Sequence, residues 1–99
     1  MAADRILQTL SLAAKAGAVK SGSLQIDQTV KSGRALLLIL AEDISENTRK
    51  KYEKQAAFYH VPVITRSDME TLGHAIGKES RAAVAVTEKG LADHILKMI

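Results

Sequence analysis

The chain has no cysteine, one proline and only three residues of the aromatic class Phe, Trp and Tyr among its 99 positions. The missing cysteine excludes a disulfide framework and any thiolate metal site, and it fits a cytoplasmic protein. Tyr52, Phe58 and Tyr59 offer little interleaving for base stacking, and their spacing reads as core. No stretch reaches the roughly 18 apolar residues of a membrane helix, so no membrane partner is expected. Met1-Ala2-Ala3-Asp4-Arg5 lacks the basic segment and long apolar run of a signal peptide. A strong excess of one charge is missing as well. Fourteen basic residues stand against 11 acidic ones, a net charge of +3, which pushes only slightly toward nucleic acid.

What is present is apolar residue, at 46%, which excludes disorder and allows one small domain over residues 1–99. The stretch Lys20 to Ala41 organises it. A glycine turn at Gly22 opens a short helix, Gly33 closes it, and Leu36-Leu37-Leu38-Ile39-Leu40 follows as a strand buried on both faces. Such a strand needs a layer on each side. Before it, Asp4 to Ala16 reads as a helix with Ile6, Leu7, Leu10, Ala13 and Ala14 on one face, capped by Asp4 and ended at Gly17. The second helix, with Ser21 or Ser23 as its cap, has a narrow apolar stripe of Ile26 and Val30 and is placed on the surface.

After the central strand, Asp43 with Glu46 forms a capping box, with Ser45 as the alternative cap, for a helix from about Glu46 to Tyr59. Thr48, Tyr52, Ala56 and Tyr59 share one face of it, and Arg49, Lys50, Lys51 and Lys54 much of the other. Pro62 ends it, Val63 to Thr65 is a strand, and Ser67-Asp68 starts a short helix that turns Met69, Leu72 and Ala75 inward. Ala82 to Thr87 is another buried strand and Glu88 to Met98 a last helix. Helices alternate with strands throughout. The fold expected is α/β, a three-layer α-β-α sandwich with a small mixed sheet.

Catalytic signatures are sparse. Gly17-Ala-Val-Lys-Ser-Gly22 has P-loop glycine spacing, but Ser23 and Leu24 stand where lysine and Ser or Thr are required, so helix ends explain the glycines. His60, His74 and His94 show no metal-ligand spacing; His60 reads as a helix-end residue, His74 as partly buried and His94 as exposed. Glu42 and Asp43 follow the central strand, where a general base or magnesium ligand would sit, but the capping role accounts for Asp43. No enzyme, metal or cofactor is expected. The amides opening the second helix, beside Lys20, are the best candidate for a binding edge. Arg49, Lys50, Lys51 and Lys54, with Lys20, Lys31 and Arg34 nearby, favour RNA as the partner.

Seven segments occur in an order and spacing that together are specific. They are Leu12-Ala-Ala-Lys-Ala-Gly17, Ser21-Gly22, Lys31-Ser-Gly33, Ala41-Glu-Asp43, Asn47-Thr-Arg-Lys-Lys51, Val61-Pro-Val63 and Leu72-Gly-x-Ala-x-Gly77. In these the chain resembles the kink-turn-binding ribosomal proteins, the L-seven-Ae and L-thirty-e family, and in particular its small bacterial members of YlxQ type. The resemblance runs from about Arg5 to Met98. It implies an α-β-α sandwich that grips a sharply bent RNA with tandem sheared G·A pairs. It further implies that the start of the second helix approaches the major groove and that the loop before the last strand covers a flipped-out nucleotide.

Transferred residue by residue, the resemblance puts the first half of the RNA edge on Lys20, Gly22, Ser23, Leu24, Gln25 and Gln28, with Lys31 and Arg34 beyond. The second half falls on Lys78, Glu79, Ser80 and Arg81. Three positions depart from the archaeal pattern: Leu24 replaces asparagine, Gln25 glutamate and Gln28 lysine. A lost bidentate base contact costs on the order of 1–3 kcal/mol of discrimination, so a relaxed preference among bent RNAs is expected. In the loop only Glu79 matches, and Lys78 and Arg81 are expected to supply phosphate contacts. The implied protein is a non-enzymatic RNA binder, monomeric, cytoplasmic and ribosome-associated. A protein-interaction module with Leu24 as apolar contact is the alternative.

Overall fold

A computed structural model describes residues 4–99; Met1 to Ala3, part of the stretch expected to lack a signal peptide, lie outside it. Helix α1 spans Arg5–Lys15 and starts where Asp4 accepts from the amides of Ile6 at 2.9 Å and Leu7 at 3.2 Å. Strand β1 (Val19–Ser21), helix α2 (Ser23–Lys31) and strand β2 (Leu37–Leu40) follow. Then come α3 (Glu46–Phe58), β3 (Val63–Thr65), α4 (Met69–Ala75), β4 (Ala83–Val86) and α5 (Lys89–Leu96). Among the described residues no helix is long and apolar enough to cross a membrane.

The strands form one sheet in the order β1-β4-β2-β3. β4 runs antiparallel to both neighbours, pairing Ser21 with Val84 on one side and Ile39 with Val84 on the other. β2 and β3 are parallel, Ile39 facing Ile64. The sheet is therefore mixed. Leu37 through Leu40 have no solvent exposure at all, which requires cover on both faces. Leu37 and Ile39, with Val84 and Val86, pack against Ile6 and Leu10 of α1, Leu72 of α4 and Ile95 of α5. Leu38 and Leu40, with Ala83 and Ala85, pack against Ile26 and Val30 of α2 and Tyr52 and Ala56 of α3. Each fully buried leucine or isoleucine contributes about 1.5–3 kcal/mol, so the two slabs hold the sandwich together.

Several local expectations change. Neither Ser21 nor Ser23 caps α2: Gly22 holds the N-cap position at φ 90°, where a side chain is strained, and no side chain accepts from the first turn. Ser45, not Asp43, caps α3, its Oγ accepting from the Thr48 amide at 3.2 Å. Asp43 instead accepts from the Met69 amide at 2.8 Å and, with the Asp68 cap, starts α4. His74 is exposed rather than partly buried. Phe58 and Tyr59 are not core; Phe58 is 75% exposed and Tyr59 37%, while Tyr52 is buried.

Candidate nucleic-acid interface

Four of the five helices among the described residues begin under a side-chain cap: Asp4, Ser45, Asp68 and Glu88 accept from first-turn amides. α2 does not. Its Ile26 amide already bonds the Gly22 carbonyl at 2.9 Å, but no side chain answers the amides of Ser23, Leu24 and Gln25. That first turn carries the positive end of the helix dipole, and its Gln25 lines a groove of about 380 Å³.

The polar walls of that groove come from two chain segments, with Ala14 of α1 and Ile76 also lining it. Lys20, Ser21 and Gln25 come from β1 and α2, and Lys78 and Arg81 from the loop before β4. Strand pairing brings them together, because Ser21 sits opposite Val84 in the β1–β4 ladder. Arg81 closes the junction: its Nε donates to Ser21 Oγ at 3.1 Å and its Nη1 to the Ser80 carbonyl at 2.8 Å. The same loop is bonded to α4, Lys78 N to the Gly73 carbonyl and Arg81 N to the Met69 carbonyl, each at 2.9 Å. Two lysines and a guanidinium thus converge on one concave strip, the arrangement that neutralises phosphate.

The remaining site residues spread outward from it. Ser23, Leu24, Gln28 and Glu79 are exposed, Leu24 by 70%. Arg34 lies on the other side of Lys20, in a cleft with Gly17 and Gly33. Lys31 does not join the groove; it lies between α2 and α3, beside Phe58 and Tyr59. Of the basic face on α3, Arg49 is turned to structural use, donating to Thr65 Oγ1 at 3.1 Å and to the Ala41 carbonyl at 3.1 Å. Lys51 is a residue the sequence left off the edge. Its Nζ donates to Ser23 Oγ at 3.2 Å and lies 5.4 Å from the centre of the Tyr52 ring. The signal was the run Arg49-Lys50-Lys51, which periodicity alone could not resolve into a buried-side and an edge-side cation.

Nothing here assembles a nucleophile, a base and an orienting partner, and no cluster of metal-ligating side chains occurs among the described residues. The carboxyls with displaced pKa values serve as helix caps. Partial burial pushes the Asp4 carboxyl up, but the Arg66 hydrogen bond at 2.8 Å, its charge, and the Leu7 and Ile6 amides outweigh it, and the pKa lies below the usual carboxylate value. Asp68 is lowered by the Thr71 amide and hydroxyl.

Comparison with known proteins agrees with this architecture. Residues 4–96 match the family described as "Ribosomal protein L7Ae/L30e/S12e/Gadd45 family". The RNA-binding protein YlxQ of Bacillus subtilis (strain 168) is 38% identical over 90 residues, covering 91% of this chain and 90% of that protein. The large ribosomal subunit protein eL8 of Cenarchaeum symbiosum (strain A) is 28% identical, covering 95% and 75%. A protein of unknown function from Bacillus halodurans C superposes with a TM-score of 0.90 at 31% identity, over 95% of both chains. The Giardia lamblia 15.5kD RNA binding protein shares the fold, with a TM-score of 0.80 at 17% identity over 100% of this chain and 91% of that one. These relatives bear RNA-binding and ribosomal names, not enzymatic ones. With the family matched along nearly the whole chain and the α-β-α sandwich in place, this protein is a member of the ribosomal protein L7Ae/L30e/S12e/Gadd45 family.

Proposed function

We propose that the protein binds structured RNA, a kink-turn-like or related bent element, through the N-terminus of α2 and the loop before β4. The observation that carries this is the uncapped first turn of α2 opening onto the groove of Lys20, Gln25, Lys78 and Arg81. Amide donors and cations there meet the needs of phosphate and base edges together. A regular RNA duplex closes its major groove to side chains, so a bent, widened element is the substrate that admits this helix end. Family membership and the RNA-binding name of the Bacillus subtilis relative support the same reading. The protein acts as a cytoplasmic monomer associated with the ribosome.

Leu24 favours a second reading. An exposed leucine at the first turn of α2 suits an apolar partner better than a phosphate, as in a protein-interaction module that has lost the RNA site. A gel-shift titration separates the two: a kink-turn RNA, and the same RNA with its G·A pairs changed, each at two salt concentrations. Preference for the intact kink, weakening as salt rises, supports the first reading. Equal, salt-sensitive binding to both means a generic RNA surface, and binding to neither supports the protein partner.

A further inference from the structure

The two helices on one face of the sheet are laced together in constant register. Lys51 of α3 donates to Ser23 of α2, and Gln55 Nε2 of α3 donates to Asp27 Oδ1 at 3.0 Å, one turn further along both helices. Each pair is separated by the same 28 positions, so α2 and α3 run in the same direction side by side. The next rung of this ladder matches Lys31 with Tyr59, and along these rungs, from Lys51 to Tyr59, runs an open groove of about 460 Å³. Lys31, Lys51 and Lys54 rim it, against the single carboxylate of Asp27, already engaged by Gln55. At its end Phe58 and Tyr59 stand edge to face, centroids 4.9 Å apart, with Phe58 75% exposed.

An exposed phenylalanine beside three lysines has a specific complement. Successive bases stack on aromatic faces while cations follow the backbone, and neither requires a particular sequence. The groove is also continuous with the α2 edge, because Lys51 touches Ser23, the first residue of α2. From Ser23 to Lys31 the helix rises about 12 Å, or three to four nucleotides at the roughly 3.4 Å rise of a stacked strand.

We infer that the α2–α3 groove binds a single-stranded RNA segment adjoining the bent element, with Phe58 as the stacking platform and Lys31, Lys51 and Lys54 on the phosphates. This rests on the RNA reading above and extends its footprint beyond the bend. The groove is largely apolar, but three lysines on its rim against one engaged carboxylate favour a polyanion over a protein segment.

The test uses the whole chain and a kink-turn RNA with or without four unpaired adenosines added at either end. One of the two extended RNAs is expected to bind about 5- to 160-fold more tightly than the unextended one, the range of one stacked base. Phe58→Ala is expected to abolish that gain while leaving the unextended RNA bound as before; the ring is exposed, so the fold is not at risk. Phe58→Trp should keep it. A gain that persists in Phe58→Ala overturns the stacking platform. No gain in the unaltered protein, with the unextended RNA still bound, overturns the groove proposal alone and leaves the ring to a protein partner. Failure to bind either RNA overturns the RNA reading, and this proposal with it.

Discussion

A Cβ added to Gly73 would stand 1.3 Å from the carbonyl oxygen of Glu79. The obstacle is backbone, so no rotamer change relieves it. Gly73 therefore lets the loop before β4 lie against α4, and that contact sets where Lys78 and Arg81 reach the groove. Gly73→Ala is expected to destabilise the domain by about 1–3 kcal/mol, the usual cost of overpacking, and to weaken RNA binding as well. Urea unfolding and a gel shift on the same sample check both. Unchanged stability would mean the loop swings aside freely.

Asp4 both caps α1 and bridges to Arg66 at 2.8 Å. Arg66 is 44% exposed, so water and salt screen the pair and the cap carries most of the effect. Asp4→Ala is expected to cost about 0.5–2 kcal/mol. Because the folded carboxyl titrates below its unfolded value, its stabilisation is fully present above the unfolded pKa and is lost as pH falls through the folded one. The urea midpoints of the native protein and Asp4→Ala should therefore differ at neutral pH and converge at strongly acid pH. A constant difference across that range refutes the linkage.

Leu38 is fully buried, Leu24 70% exposed. Leu38→Ala should cost about 2–5 kcal/mol, whereas Leu24→Ala should stay within about 0.5 kcal/mol. Chemical denaturation of the two variants measures how far the core and the edge are separable.

Leu24→Asn with Gln28→Lys restores the residues implied by the family pattern at two exposed positions of α2. Each restored base contact is worth on the order of 1–3 kcal/mol of discrimination. The double variant should bind an intact kink at least about fivefold more tightly, with little change for the G·A-altered RNA. Equal gains on both RNAs would show that only the added charge matters.

Lys31 and Arg34 are both exposed, and the Arg34 side chain bonds locally, Nε to Ser32 Oγ at 3.0 Å. Lys31→Ala with Arg34→Ala is expected to leave the melting temperature in place and to lower the log–log salt slope of RNA binding by about 0.7–0.9 per lost phosphate contact. An unchanged slope removes both residues from the interface.

The layers were legible from the sequence because the apolar periods are clean. Leu37 to Leu40 form the strand expected over Leu36 to Leu40, with Leu36 half-buried just before it, and Ile6 and Leu10 mark the buried face of α1. Caps were less so. Ser45 and Asp43 both satisfy the local grammar of a helix start, and only the approach of α4, which brings the Met69 amide to Asp43, decides between them. The aromatics misled for a related reason. Tyr52, Phe58 and Tyr59 carry the same apolar signal, but α3 ends at Phe58, and there the last two rings are exposed. Lys51 was hidden because its role depends on α2, a neighbour in space that charge runs do not report.

Arg81 and Ser21, which close the groove, are 60 positions apart in the chain. The pairing of β1 with β4 that joins them is among the most non-local contacts of the fold, and contacts of that kind form late and slowly. No fragment holding α2 alone presents the two-sided groove, however well its helix forms. Assembly of the interface is thus tied to completion of the sheet, and a half-folded chain has only one wall of the groove to offer.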